Sequence, residues 1–163
     1  MQKFLKTSGW LATIAGILMV VVGIWGICFT YKNVAQENIV TPDDASIPSA
    51  KVRGPFTLKS EADIIREHAL DGAGGKTYAE MPRQIQKLDE AGNGVVDAEG
   101  KPVMVTNEAR NTWITATALI TALHLGIVGY VFSGLVLLLG LISLWTGWIF
   151  CKLSRHMMPS ALQ

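Results

Sequence analysis

The sequence predicts a mainly α-helical, two-span integral membrane protein with a small extracytoplasmic domain of short helices and one β-hairpin. Three observations lead there. Half of the 163 residues are hydrophobic, two long stretches carry no charged side chain, and all 13 acidic residues fall between Glu37 and Glu108. The two apolar flanks hold only Lys3, Lys6, Lys152 and Arg155 as charged side chains. Lys and Arg close to membrane spans are retained in the cytoplasm, so this asymmetry places both termini inside and the acidic middle outside. The formal net charge of +1 conceals that separation.

Residues 1–9 form a cytoplasmic N-terminus, and Trp10 to Tyr31 is the first span. About 22 residues at 1.5 Å each cover a hydrocarbon core near 30 Å. Ser8 can cap its start, and Trp10, Trp25 and Tyr31 suit the interfacial belts. A cleaved signal peptide would have a shorter apolar core and an A-x-A-like site, and none precedes Gln36. Trp25-Gly26-Ile27 before Cys28 also lacks the pattern of a lipoprotein. The chain is therefore expected to keep its N-terminal anchor.

No charged residue occurs between Arg110 and Lys152. Read as one helix, residues 111–151 would reach roughly 60 Å. Its outer part, rich in Thr and Ala and containing His124, would lie outside. The membrane crossing would run from about 127 to 151, leaving 152–163 as a cytoplasmic tail. The alternative is a hairpin of two minimal spans turning near Gly126 and Gly129, which would move Lys152 and Arg155 outside, against the charge rule.

The segment between the spans, 32–110, can bury only a modest core. Pro42 and Pro48 mark extended or turn structure, with Asp43-Asp44 read as a solvated turn. Ser60 to Leu70 reads as a helix with acids in its first turn and Ile64, Ile65, His68 and Ala69 on packed faces. Gly72, Gly74 and Gly75 end it. Thr77 and Glu80 have capping-box spacing, and Pro82 starts a second helix through Leu88, closed by Gly92 and Gly94. Val95-Val96 and Val103-Met104-Val105 read as a hairpin turning through Asp97 to Lys101, with Pro102 at an edge. No internal repeat is expected.

Three short motifs carry a resemblance: Gly54-Pro55-Phe56-Thr57, then Ile64-Ile65 with His68-Ala69-Leu70, then Gly75-Lys76-Thr77-Tyr78-Ala79-Glu80. In these the chain resembles a family of small uncharacterised actinobacterial two-span membrane proteins, sometimes labelled aromatic ring-opening dioxygenases. The resemblance implies a bacterial plasma membrane location and marks Gly54, Pro55, Phe56, His68, Gly75, Thr77, Tyr78 and Glu80 as motif residues. It implies topology and compartment, not an activity. The Gly92 to Thr106 insertion departs from the family pattern.

The dioxygenase label finds no support in the residues. Such chemistry wants two histidines and a carboxylate on one metal. His156 falls on the cytoplasmic side and His124 in the second long helix, leaving His68 as the lone histidine of the soluble segment. A half-buried, hydrogen-bonded side chain is its expected role, with metal ligation as the sharper alternative. No calcium loop or P-loop is present. Ser60 and Thr77 have capping explanations, so no catalytic residue is assigned and no cofactor is expected.

Cys28 and Cys151 would lie near opposite membrane faces, too far apart to pair. Ala12, Gly16, Gly23 and Gly26 in the first span, with Gly129 and Ser133 in the second, have small-residue spacing that lets helices approach closely, within the chain or between chains. The reading is of a non-catalytic accessory, assembly or scaffolding subunit. Its partners would be the lipid bilayer and other membrane subunits or itself, and no nucleic-acid footprint appears. One alternative is a metal- or haem-associated redox or sensory component using His68 with Met81 or Met104. Another is an enzyme whose site is completed by a partner chain.

Overall fold

The computed structural model describes residues 2–156. Its elements are α1 (Gln2–Gln36), α2 (Pro55–Gly72), strands β1 (Gln84–Gln86) and β2 (Met104–Thr106), and α3 (Glu108–His156). α1 and α3 are each long and apolar enough to cross a membrane. α3 is unbroken through Gly126 and Gly129, so the hairpin alternative does not hold. The chain divides into two compact units. The first comprises 2–39, 52–55 and 126–156, and the second 40–51 and 56–125, so α3 contributes to both.

The first unit is an antiparallel helix pair built on glycine. The buried residues of α1 are Gly9, Gly16 and Gly23. From 126 to 156 in α3 they are Ser133, Gly140, Gly147 and Ser154. Both sets recur every seven residues, or 3.5 per turn, the period that keeps a stripe facing its partner in a left-handed pair. Without side chains between them the backbones touch. A Cβ on Gly16 would lie 2.8 Å from the Gly140 carbonyl oxygen, and one on Gly140 2.8 Å from the Val20 nitrogen. Thr13 and Thr30 hydroxyls donate to the carbonyls of Gly9 and Gly26 on their own helix, at 2.8 and 2.9 Å, so each is satisfied without water. Large apolar side chains such as Leu18, Val21, Val128 and Leu135 cover the exposed surface.

Of the residues picked for helix packing, Gly16, Gly23, Gly26, Gly129 and Ser133 all lie in this internal contact. Gly26 meets Ser133, and Gly129 meets Thr30. Ala12 is only half-buried, and it is Thr13 that packs against Gly147. The same unit pins residues 52–55 to both helices. Arg53 donates to the Tyr31 hydroxyl at 2.9 Å, and the Tyr130 hydroxyl donates to the Arg53 carbonyl.

In the second unit, α2 begins five residues before the expected start. Pro55 occupies the first turn, where a missing N–H costs nothing. Ser60 is therefore not a cap. It is buried, and its hydroxyl accepts from the Ile47 N–H at 2.9 Å. The loop 40–51 folds over this point. Thr41, also buried, accepts from the Ala50 N–H at 2.9 Å through its hydroxyl, which donates to the Ile47 carbonyl. α2 ends as expected, with Gly74 and Gly75 at positive φ and the Gly75 N–H returning to the Leu70 carbonyl at 2.8 Å.

The expected helix from Pro82 to Leu88 is not formed, because Gln84–Gln86 is a strand paired antiparallel with Met104–Thr106. The expected hairpin is one part of a larger pattern. Leu88 bridges Gly94, Val96 bridges Pro102, and Met104 pairs with Gln86. The hydrogen bonds close a ring: Val95 N–H to the Lys87 carbonyl, Val103 N–H to Val95, and Lys87 N–H to Val103, at 2.8, 2.9 and 2.8 Å. Three arms related by an eight-residue shift thus pair cyclically. The turns between them match. Asp89 accepts from the N–H groups of Ala91 and Asn93, and Asp97 from those of Glu99 and Lys101. Gly92 and Gly100 both adopt positive φ. This is an internal repeat, against expectation. α3 is then capped by Asn107, whose side-chain oxygen faces the Arg110 N–H and whose amide donates to the Pro82 carbonyl.

Candidate functional site

The motif residues of the second unit fall into separate clusters. His68 is exposed on α2, its side chain 52% accessible, whereas Ile64 one turn earlier is buried. Its Nε2 is 2.7 Å from Asp44 Oδ2, so Asp44 is a partner and not a merely solvated turn. The Asp44 hydrogen bond foremost, and nearby carboxylates besides, raise the His68 pKa against the opposing effect of desolvation. The same hydrogen bond holds the Asp44 carboxyl below its usual range. Because His68 is raised, its contribution is complete below the ordinary histidine value and lost as pH rises through the folded one. Because Asp44 is lowered, its contribution is lost only as acid titrates that carboxylate. The pair therefore ties loop 40–51 to α2 between those limits, although so exposed a contact contributes little stability. Asp44→Asn should lower the His68 titration midpoint, read by proton NMR of the imidazole, toward about 6.5. An unchanged midpoint would show that the contact is not made in solution.

Thr77, Tyr78 and Glu80 form the second cluster. The Glu80 carboxylate accepts from the Thr77 N–H at 2.7 Å and from its hydroxyl at 2.8 Å, which draws its pKa down. The backbone-directed half of a capping box thus forms around a turn that no helix follows. Tyr78 lies under Arg110, whose guanidinium carbon is 3.8 Å from the ring centroid. Beside them an apolar groove of about 410 Å³ is lined by Tyr78, Trp113, Ile114, Thr117 and Ala118. Gly54 and Pro55 serve the entry to α2, and Phe56 is 81% exposed.

Met81 is buried and Met104 exposed. Among the described residues, no three His, Cys, Asp or Glu side chains come together as metal ligands would. Buried Glu61 on α2 has one carboxylate oxygen without a hydrogen-bond partner, and desolvation raises its pKa. Cys28 and Cys151 are free; Cys151 faces Gly9 across the helix pair, 19 positions along α1 from Cys28.

Sequence reasoning missed the eight-residue arms and with them a set of three exposed apolar side chains. Leu88, Val96 and Met104 occupy equivalent places, one per arm, and are 59%, 55% and 48% accessible. Comparison with protein families, characterised proteins and solved structures finds no match to the chain.

Proposed function

We propose that the chain is a non-catalytic accessory, assembly or scaffolding subunit of a complex in the bacterial plasma membrane. In this reading α1 and the later part of α3 span the bilayer, both termini are cytoplasmic, and the second unit is extracytoplasmic. The charge asymmetry of the sequence supports that orientation. The observation that carries the function is the set of equivalent exposed apolar side chains, Leu88, Val96 and Met104. A small water-facing unit with few buried residues gains nothing by leaving three such side chains in solvent, whereas a protein-binding surface uses them. The small residues of the spans are engaged within the chain, in the contact between α1 and α3.

The test is purification of the full chain in mild detergent after cross-linking in intact membranes. A defined higher-mass species should form with the native chain and be lost in the triple variant Leu88→Ser, Val96→Ser, Met104→Ser, while membrane extraction and the monomer's melting stay unchanged. Retention of that species by the triple variant would place the contact elsewhere.

A further inference from the structure

We infer that the end of the helix pair where Gln2 meets Ser154 is a binding site for the phosphate headgroup of an anionic phospholipid. The inference rests on the reading of α1 and α3 as membrane spans. A cavity of about 340 Å³ opens there, lined by Gln2, Lys3, Lys6, Trp10, Cys151, Ser154 and Arg155. Sites for small ligands begin at about 300 Å³.

The chemistry of the lining is one-sided. Lys3, Lys6 and Arg155 all line the cavity, and none of its described lining residues is acidic. Two of the polar lining residues are already paired within the chain. Gln2 donates to the Ser154 carbonyl at 3.1 Å, and the buried Ser154 hydroxyl donates to the Cys151 carbonyl at 3.1 Å. Gln2 and Ser154 are thus engaged with the backbone, while Lys3, Lys6 and Arg155 make no ion pair among the described residues. Close approach of the helices makes the arrangement possible, since Gly9 offers no side chain where Cys151 packs.

The position selects the kind of anion. Trp10 lies one turn inward of Lys6 with 58% of its surface accessible, an indole suited to the boundary between headgroup and acyl chain. A phosphodiester seated among Lys3, Lys6 and Arg155 would have its acyl chains beside the apolar surface of the pair. Basic pockets between membrane helices on the cytoplasmic side recognise anionic lipid headgroups by this combination. Lys152 is a useful contrast. It belongs to the same end, but it lies over the Trp148 ring at 5.1 Å from the centroid and does not line the cavity.

The test uses the full chain reconstituted with phosphatidylcholine alone or with phosphatidylcholine and phosphatidylglycerol, then released into mild detergent for native mass spectrometry. Flotation with pure phosphatidylcholine vesicles reports membrane insertion independently of headgroup charge. Failure to float would overturn the membrane reading and the site with it. Given flotation, the native chain should retain phosphatidylglycerol over phosphatidylcholine, and Lys6→Gln or Arg155→Gln should each reduce that retention roughly fivefold. Lys152→Gln should change it little. No headgroup preference, or equal loss from all three variants, would leave only diffuse surface attraction and overturn the site. Displacement of the lipid by dilute inorganic phosphate would instead assign the site to a soluble anion and overturn the lipid assignment.

Discussion

Gly140→Leu should pry the helix pair apart, whereas Gly134→Leu, six residues earlier on α3, should leave it intact. The difference is steric. A Cβ on Gly140 meets the Val20 backbone nitrogen at 2.8 Å, and backbone cannot rotate away as a side chain can. At Gly134 a Cβ meets nothing within 4 Å. Both changes add the same apolar surface and both favour the bilayer, so insertion should be equal. Overpacking a tight contact costs about 1–3 kcal/mol, and the loss of close helix contact adds to it. Pyrene labels on Cys28 and on a cysteine introduced at Val131, with Cys151 replaced by Ala, should give excimer emission in mild detergent. In an SDS titration that emission should disappear at markedly lower SDS for Gly140→Leu than for Gly134→Leu. Coincident curves would show that the glycine contact does not hold the pair together.

Thr41→Val should loosen the loop 40–51 while barely altering its shape. Valine fills the same volume but neither accepts from the Ala50 N–H nor donates to the Ile47 carbonyl. Leaving a buried polar group unpaired costs about 1–3 kcal/mol. Ser60→Ala strips the Ile47 N–H of its partner and should have a similar effect. The two changes share Ile47 and should not add, because the second falls on a loop already released. Hydrogen exchange read by mass spectrometry on the full chain should show faster exchange of the peptide containing Ile47 and Ala50. Thr41→Ser should restore protection. Unchanged exchange in Thr41→Val would mean that the backbone pairing of Thr41 with Ala50, at 2.9 Å, suffices alone.

The long elements were legible because their cause is local. An uncharged run marks the middle of α1 and of α3, although α1 already starts at Gln2, which leaves Ser8 inside the helix and not at its cap. Gly74 and Gly75 at positive φ end α2 where the sequence placed its end. Ser60 misled because Ser-Glu-Ala-Asp imitates a helix start, while the better start signal, Pro55, stood five residues earlier. The small residues were found only in part, since spacing of four picked Gly16 and Ser133 but overlooked the period of seven that adds Gly9, Gly140, Gly147 and Ser154. Asp89 and Asp97 begin identical turns, yet in the sequence the glycines after the first read as a helix end and the residues from the second to Lys101 as a hairpin tip. Asn107 went unnoticed because the helix was started from the last charge and not from a capping side chain followed by Glu108. The His68 contact joins residues 24 apart and has no periodicity to announce it.

The glycine stripe is a ruler whose marks are all alike. Sliding α1 along α3 by seven residues, about 10 Å, would again set small residues against small residues. Translation is therefore degenerate along most of the contact, and the stripe dictates how near the helices come without dictating where they stop. What breaks the degeneracy must be unrepeated, and among the described residues polar contacts of that kind stand at opposite ends. Gln2 reaches the Ser154 carbonyl at one, and Tyr31 and Tyr130 share Arg53 at the other. These few polar atoms choose one alignment among near equals, in the way a detent selects one position of a sliding bolt.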